Sequence, residues 1–105
     1  MSSVGLAHVV YFTLHDNTSE KINELVDACK KYLVGHPGVV YFSVGKLARD
    51  LIRPVNDQTH DVALHVVFTD RASHDAYQIA PRHLEFVNLQ KANWKQVRVF
   101  DDDLA

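Results

Sequence analysis

Apolar, β-branched and aromatic residues are concentrated in four short stretches of the chain, and each stretch predicts a β-strand. The four stretches are residues 6–14, 39–47, 59–69 and 94–100. Runs of this composition, bounded by turn residues, are typical of strands. Residues 48–57, between the second and third stretches, are mostly polar and predict a connection, although Leu51 and Ile52 within it are apolar.

The segment between the first two strands has the spacing of an amphipathic helix. Its apolar residues recur every three or four positions, which places them on one helical face: Ile22, Leu25, Val26, Cys29, Tyr32 and Leu33. Asn17 followed by Glu20 is typical of a capping box, so we expect Asn17 to cap this helix. Gly35 is expected to end it.

The segment between the last two strands predicts two helices rather than one. Asp70 is expected to cap a short helix that ends near Ile79. Pro81 cannot continue that helix, but it fits the first turn of a second helix running to about Asn93. The residues Asp101, Asp102 and Asp103 that follow the last strand read as a solvated acidic tail.

The resulting order is β-α-β-β-α-β, with the second helical segment broken in two. This order is that of the ferredoxin-like α+β fold, in which helices cover one face of a four-stranded antiparallel sheet. The length of 105 residues fits one domain over residues 1–105. Residues 1–5 and 102–105 are expected to be flexible ends.

The sheet face away from the helices is unusually apolar for a surface. In the first strand His8, Val10, Phe12 and Leu14 point to one side, and Val9, Tyr11 and Thr13 to the other. The open face of a half-covered antiparallel sheet is normally polar. We therefore expect the same face of a second copy to cover it, which makes the protein a homodimer with His65 at the interface.

Composition excludes several classes of partner and site. The formal net charge of −2 provides no basic patch for nucleic acid or for an anionic membrane. The single cysteine, Cys29, excludes an intramolecular disulfide and a cysteine-based zinc site. With no long apolar run and no leader-like start, the expected location is the cytoplasm. Seven histidines are more than a chain of this length usually carries.

Tyr77 and His83 flank the break at Pro81, which aims a phenol and an imidazole at one place. Histidine titrates near neutral pH and can abstract a proton from a carbon between two carbonyls. A phenol can donate a hydrogen bond to the enolate oxygen that develops. The alternative is structural, with Tyr77 packed in the core and His83 on the helix surface.

Four pieces of the sequence, taken together, resemble the stress-responsive A/B barrel (Dabb) family. They are residues 8–12 (HVVYF), 37–39 (PGV), 60–64 (HDVAL) and 76–87 (AYQIAPRHLEFV), and the resemblance covers nearly all of residues 6–101. It implies a homodimer whose two sheets close into a barrel, with a cleft in each subunit between helices and sheet. A plant member of the family closes a linear poly-β-ketone by an aldol condensation.

The catalytic tyrosine and histidine of that plant cyclase match Tyr77 and His83, and its pocket residues match His8, His60 and Trp94. The sequence departs from the family pattern at Ala80, where many members have histidine, and its first helix has smaller side chains at the pocket positions. Beside the catalytic pair, the residues predicted to line the cleft are His8, Val10, Phe12, Leu25, Val26, Cys29, His60, Val62, Leu89 and Trp94. Trp94 has a competing interpretation as a core residue, and so do His8 and His60.

No cofactor or metal is predicted. His8 and His60 face the helices from opposite ends of the ladder between the first and third strands, which disfavours a joint metal site. His15, His36 and His74 are expected to be solvent-exposed. Three function classes remain: an enzyme of the aldol-cyclase type acting on a β-dicarbonyl-like acid, a non-catalytic stress-associated dimer that binds a small hydrophobic ligand, and a haem- or quinol-type monooxygenase.

Overall fold

A computed structural model describes residues 5–105, and its elements follow the predicted order. The strands are β1 (Leu6–Leu14), β2 (Val39–Lys46), β3 (Val62–Phe68) and β4 (Trp94–Asp103). The helices are α1 (Ser19–Tyr32), α2 (Arg71–Ile79) and α3 (Pro81–Gln90), followed by a single 3₁₀ turn, Lys91–Asn93. Among these helices, none is long and apolar enough to cross a membrane.

The four strands form one antiparallel sheet in the order β2-β3-β1-β4, which confirms the ferredoxin-like prediction. The central strand β1 pairs with β3 on one side and with the edge strand β4 on the other. His8 therefore lies opposite Val66 of β3 and opposite Asp101 of β4. This register decides which side chains of β4 reach the helical face beside His8.

The hydrophobic core lies between the sheet and the helices. Alternate residues of β1 and β3 are buried there, as expected for strands with one covered face. The helices contribute Leu25, Cys29, Tyr77 and Phe86, each at most 2% exposed. Burial of each of the larger apolar side chains stabilises the fold by about 1.5–3 kcal/mol.

The start of α1 differs from the prediction by one residue. Thr18, not Asn17, is the cap, and its hydroxyl accepts the backbone N–H of Lys21 at 3.4 Å. Asn17 is used elsewhere, because its side-chain amide donates to the Asp61 carboxylate at 3.3 Å.

Asp61 also shortens β3, which begins at Val62 rather than at residue 59. Its carboxylate is buried and accepts the backbone N–H of Leu14 at 2.8 Å and the Arg49 guanidinium at 3.0 Å. A residue whose side chain turns inward to these donors interrupts the alternation of the strand. The residues before Asp61 consequently leave the sheet.

The last strand is longer than predicted, and the acidic residues 101–103 belong to it rather than to a solvated tail. Their backbone pairs with the first residues of β1, from Leu6 opposite Asp103 to His8 opposite Asp101. Both carboxylates have partners nearby, since the Arg71 guanidinium donates to Asp103 at 3.2 Å and Nδ1 of His8 contacts Asp101. Residues 102 and 103, predicted to belong to a flexible end, are thus paired in β4, and residues 1–4 lie outside the described part.

The break between α2 and α3 has the predicted cause. Ala80 is extended, with ψ at 139°, and Pro81 occupies the first turn of α3. The start of α2 is capped as predicted by Asp70, which accepts the Ser73 N–H at 2.8 Å; this hydrogen bond lowers the pKa of the Asp70 carboxyl. The two short helices can therefore lie at different angles on the sheet.

All three helices cover the same face of the sheet, so the opposite face has no layer of helices over it. That open face carries Val9, Tyr11, Val67, Tyr41 and Phe100. Tyr41 is 56% exposed and Phe100 is 47% exposed. The described chain thus exposes aromatic and aliphatic side chains side by side.

Gly38 should be the glycine least tolerant of substitution. Its φ is +84°, and an added Cβ would overlap the Ser73 side chain at the start of α2. Gly38→Ala is expected to destabilise the fold by about 2–4 kcal/mol, from the left-handed backbone and the overpacking together. Urea denaturation measures the change in the free energy of unfolding.

Gly35 is the matched control for this experiment. It also has a positive φ, +72°, but an added Cβ would meet nothing within 4 Å. Gly35→Ala should therefore cost only the backbone strain of about 1–2 kcal/mol. Equal losses for the two variants would show that the contact with Ser73 is not tight in solution.

Candidate functional site

A cavity of about 330 Å³ lies between the sheet and the two short helices, over β1 and β4. Its apolar wall consists of Val10, Phe12, Leu33, Leu64, Phe86, Val87, Trp94, Val97 and Val99. Its polar groups are His8, His74, Tyr77, Gln78, His83 and Asp101. Val97 and Val99 of the edge strand remain 39% and 50% exposed, which leaves the cavity open along β4.

Tyr77 and His83 lie next to each other on this cavity. Tyr77 is in the last turn of α2 and His83 is in the first turn of α3, so the break at Pro81 brings the rings to a centroid distance of 4.7 Å. The hydroxyl of Tyr77 and Nδ1 of His83 are both buried. Within residues 5–105 neither atom has a hydrogen-bond partner, so each is free to bond to a ligand.

Burial sets the protonation of both groups. It raises the pKa of the Tyr77 phenol well above its usual value, with a smaller contribution from Cys29, so the hydroxyl keeps its proton. Burial also lowers the pKa of His83; the backbone of Gln78 partly offsets this, and the imidazoles of His8, His36 and His74 add to it. At neutral pH the site therefore holds a hydrogen-bond donor beside a neutral imidazole.

A second polar cluster lines the same cavity and consists of His8, His74 and Asp101. Nδ1 of His8 lies 2.5 Å from Oδ1 of Asp101, and Nε2 of His74 lies 3.9 Å from the same oxygen. The His8 ring is 5.9 Å from the Tyr77 ring between centroids. The two clusters are thus adjacent parts of one site.

His74 and Asp101 are not among the predicted site residues, because the sequence pattern places His74 on the helix surface and Asp101 in a solvated tail. The His74 side chain is only 14% exposed. One signal for His74 was available, since it precedes Tyr77 by three residues and so shares its helical face. To predict Asp101 as a site residue, one would need the register of β4 against β1, which the local sequence pattern does not provide.

His36 is also misplaced by the sequence prediction, because it is only 7% exposed. Its Nε2 bonds to the carbonyl of Tyr32 at 2.8 Å, and its ring packs on Tyr77 at a centroid distance of 4.9 Å. The imidazole occupies the end of α1, where it satisfies a carbonyl left free by the helix. His36 therefore packs against Tyr77 but does not line the cavity.

Six of the predicted site residues line the cavity: His8, Val10, Phe12, Tyr77, His83 and Trp94. His60 does not, because the inward turn of Asp61 leaves it on the other side of the sheet. There its ring packs on Tyr11 at a centroid distance of 4.8 Å, beside Arg98 and Phe100. Burial lowers its pKa.

The other predicted lining residues lie away from the cavity. Leu25, Val26, Cys29 and Val62 belong to the core or pack against it, because α1 lies over β2 and β3 whereas the cavity opens over β1 and β4. Burial raises the pKa of the Cys29 thiol to about 12, so it is a small apolar group here. Leu89 is 58% exposed.

The family model of the stress-responsive A/B barrel domain matches residues 6–103. A Dabb family protein with a ferredoxin-like fold from Mesorhizobium loti is 24% identical, with a TM-score of 0.79 over 98% of this chain and 99% of that one. A dimeric ferredoxin-like protein from Thermobifida fusca is 16% identical, with a TM-score of 0.81 over 97% and 92%. A hydroxynitrile lyase from Passiflora edulis is also 16% identical, with a TM-score of 0.77 over 96% and 94%. No curated protein matches the sequence.

Removal of the Tyr77 hydroxyl should not destabilise the protein. A buried hydroxyl without a partner carries a desolvation cost of about 1–3 kcal/mol, so Tyr77→Phe is expected to raise the free energy of unfolding by up to that amount. Urea denaturation measures the change. Tyr32→Phe, at a partly exposed position of α1, is the control and should change stability little. A clear loss of stability in Tyr77→Phe would mean that the hydroxyl is bonded in solution.

Proposed function

The chain belongs to the stress-responsive A/B barrel domain family, and we propose that its cavity is the active site of an aldol-type cyclase or a related proton-abstracting enzyme. The substrate class is a small β-dicarbonyl compound or related acid. The observation that carries this proposal is the pair of buried, unpartnered polar atoms on Tyr77 and His83, 4.7 Å apart between ring centroids and lining one cavity.

His83 is the general base in this proposal. Its neutral imidazole takes a proton from the carbon between two carbonyl groups, and the electron pair of the C–H bond moves onto a carbonyl oxygen as an enolate. A base of this kind contributes about 10²–10⁴-fold to the rate. The lowered pKa of His83 keeps the base unprotonated at neutral pH.

Tyr77 stabilises the charge that develops. Its O–H remains protonated because burial raises its pKa, and it donates a hydrogen bond to the enolate oxygen. A single preorganised donor is worth about 10²–10³-fold in kcat. The enolate carbon then forms a bond to a third carbonyl carbon further along the same molecule, whose π electron pair moves to its oxygen, and the resulting alkoxide takes the proton back from the His83 imidazolium.

The cavity suits a small, mainly apolar substrate. Its volume of about 330 Å³ lies at the lower end of the range for ligand pockets, and most of its lining is aliphatic or aromatic. The similarity to the Passiflora edulis hydroxynitrile lyase concerns the fold alone, and it shows that one protein of this architecture is a lyase. The alternative function is a non-catalytic dimer that binds a small hydrophobic ligand in the same cavity.

The open face of the sheet supports a homodimer. The helices cover only one face, and Tyr41 and Phe100 on the other are about half exposed in a single chain. A second copy that presents the same face would bury this surface with two-fold symmetry. The similar Thermobifida fusca protein is dimeric.

The dimer is tested by a charge placed on the open face. Wild type is expected to sediment as a dimer in analytical ultracentrifugation, and Phe100→Lys should shift the population toward monomer because it buries an unpaired charge. Ile79→Lys is the matched control, since Ile79 is an exposed apolar residue of α2 on the helical side. A monomeric wild type would contradict the proposal.

Turnover is tested with β-diketones and β-keto acids that carry a further carbonyl along the chain, first screened by thermal shift against the wild type. A ligand at 100 times its Kd should stabilise the fold by about 2.7 kcal/mol. For compounds that the wild type binds and converts, Tyr77→Phe should lower kcat about 10²–10³-fold with little change in KM. His83→Gln should lower kcat about 10²–10⁴-fold.

The pH profile of the wild-type activity is a further test. Its acid limb should lie below pH 6.5, because the pKa of His83 is lowered from its ordinary value of 6.5.

Tyr32→Phe and His15→Gln, both away from the cavity and from the open face, are the control variants and should keep full activity. Compounds that bind but are not converted by the wild type would favour the ligand-binding alternative. An unchanged kcat in Tyr77→Phe would remove the phenol from the proposed mechanism.

A further inference from the structure

We propose that His8, His74 and Asp101 form a binding site for a divalent transition-metal ion, of which Zn²⁺ is the representative, at the edge of the cavity. This inference does not rest on the proposed reaction, because the site would bind the ion whether or not the chain is an enzyme. It goes against the expectation from sequence, which considered only His8 and His60 as ligands.

Three elements converge to supply the ligands. His8 comes from β1, His74 from α2 and Asp101 from β4, and one donor atom of each lies within 4.8 Å of the others. With metal–ligand bonds of about 2.0–2.2 Å, two ligands of a tetrahedral ion lie about 3.4 Å apart. The observed separations from Oδ1 of Asp101 are 2.5 Å to His8 and 3.9 Å to His74, so shifts of under about 1 Å would place both at that distance.

The hydrogen bonds of His74 leave the required nitrogen free of a proton. Its Nε2 lies 3.3 Å from the side-chain amide nitrogen of Gln78, which can only donate, so Nε2 is the acceptor. Nδ1 therefore carries the hydrogen, which it donates to the Asp75 carboxylate at 3.0 Å. A carboxylate that orients the far nitrogen of an imidazole is the usual outer partner of a metal-bound histidine.

His8 and Asp101 share a hydrogen in the position that the metal would take. Coordination by Nδ1 of His8 requires that hydrogen to move to Nε2, or to leave for solvent if the ring is protonated. Two neutral imidazoles and one carboxylate leave a divalent ion with a net charge of +1. Three protein ligands also leave a fourth position open, on the side of the cavity, for water or a ligand oxygen.

The cluster is more than a His8–Asp101 pair, because Nε2 of His74 lies 3.9 Å from the same carboxylate oxygen. The His74 side chain is only 14% exposed and turns its unprotonated nitrogen toward the cavity, within 3.9 Å of a carboxylate oxygen. Because this nitrogen accepts from Gln78, it has no hydrogen to donate to that oxygen. A cation bound between them would replace the Gln78 donor at Nε2 of His74 and the hydrogen that Asp101 shares with His8.

Zinc binding to the full chain, without a histidine tag and after removal of metals with a chelator, tests the proposal. Isothermal titration calorimetry should show that one Zn²⁺ ion binds per chain. Co²⁺ bound at the same site should show the visible absorption bands of four-coordinate Co²⁺. His74→Asn and Asp101→Asn should each lower the affinity by more than about 100-fold. Asp75→Asn, which removes only the outer partner, should lower it about 10–100-fold.

His15→Asn is the control for adventitious binding by an exposed histidine, and it should leave the affinity unchanged. The mutated ligands lie at the edge of the cavity, and circular dichroism and thermal melting verify that each variant is folded. Absence of stoichiometric Zn²⁺ binding in wild type would overturn the proposal. Equal affinity in wild type and in folded His74→Asn and Asp101→Asn would overturn it as well, by placing the ion elsewhere. Because binding is read without substrate, neither result depends on turnover.

Discussion

The pairing of β4 with β1 organises both the sheet and the site. Its hydrogen bonds hold an edge strand against the most central part of the fold, from Leu6 opposite Asp103 to Leu14 opposite Trp94. The register places a carboxylate directly beside His8. Val97 and Val99 of β4 also line the cavity, but no helix covers them, and the cavity opens to solvent at this point.

The cavity combines an apolar wall with polar side-chain atoms that have no hydrogen-bond partner within residues 5–105. Trp94 Nε1, Tyr77 OH and His83 Nδ1 are buried and unpaired there, and all three residues line it. Buried polar groups without partners cost stability, and such costs are concentrated at functional sites. Packing of the surrounding core offsets this cost, since the Tyr77 ring packs on Phe68 and on His36.

The two proposals for this cavity use different groups. The acid–base pair belongs to the junction of α2 and α3, whereas the three metal ligands lie where β1, α2 and β4 meet. Tyr77 and His74 share a face of α2, so a ligand bound to one cluster lies within reach of the other. An ion with one open position there would provide a second point of attachment for a carbonyl or carboxylate oxygen.

Local pattern determined a large part of this protein. Alternation along β1 predicted that His8, Val10 and Phe12 face the helices, and the Ala80–Pro81 break predicted that Tyr77 and His83 meet, because both depend only on neighbouring residues. Tertiary structure decided the rest. Asp101 lies beside His8 because β4 pairs with β1 as far as Leu6, and His60 leaves the site because Asp61 turns inward to donors from Leu14 and Arg49. Those partners are 47 residues and 12 residues away in the chain, so no local period could show them.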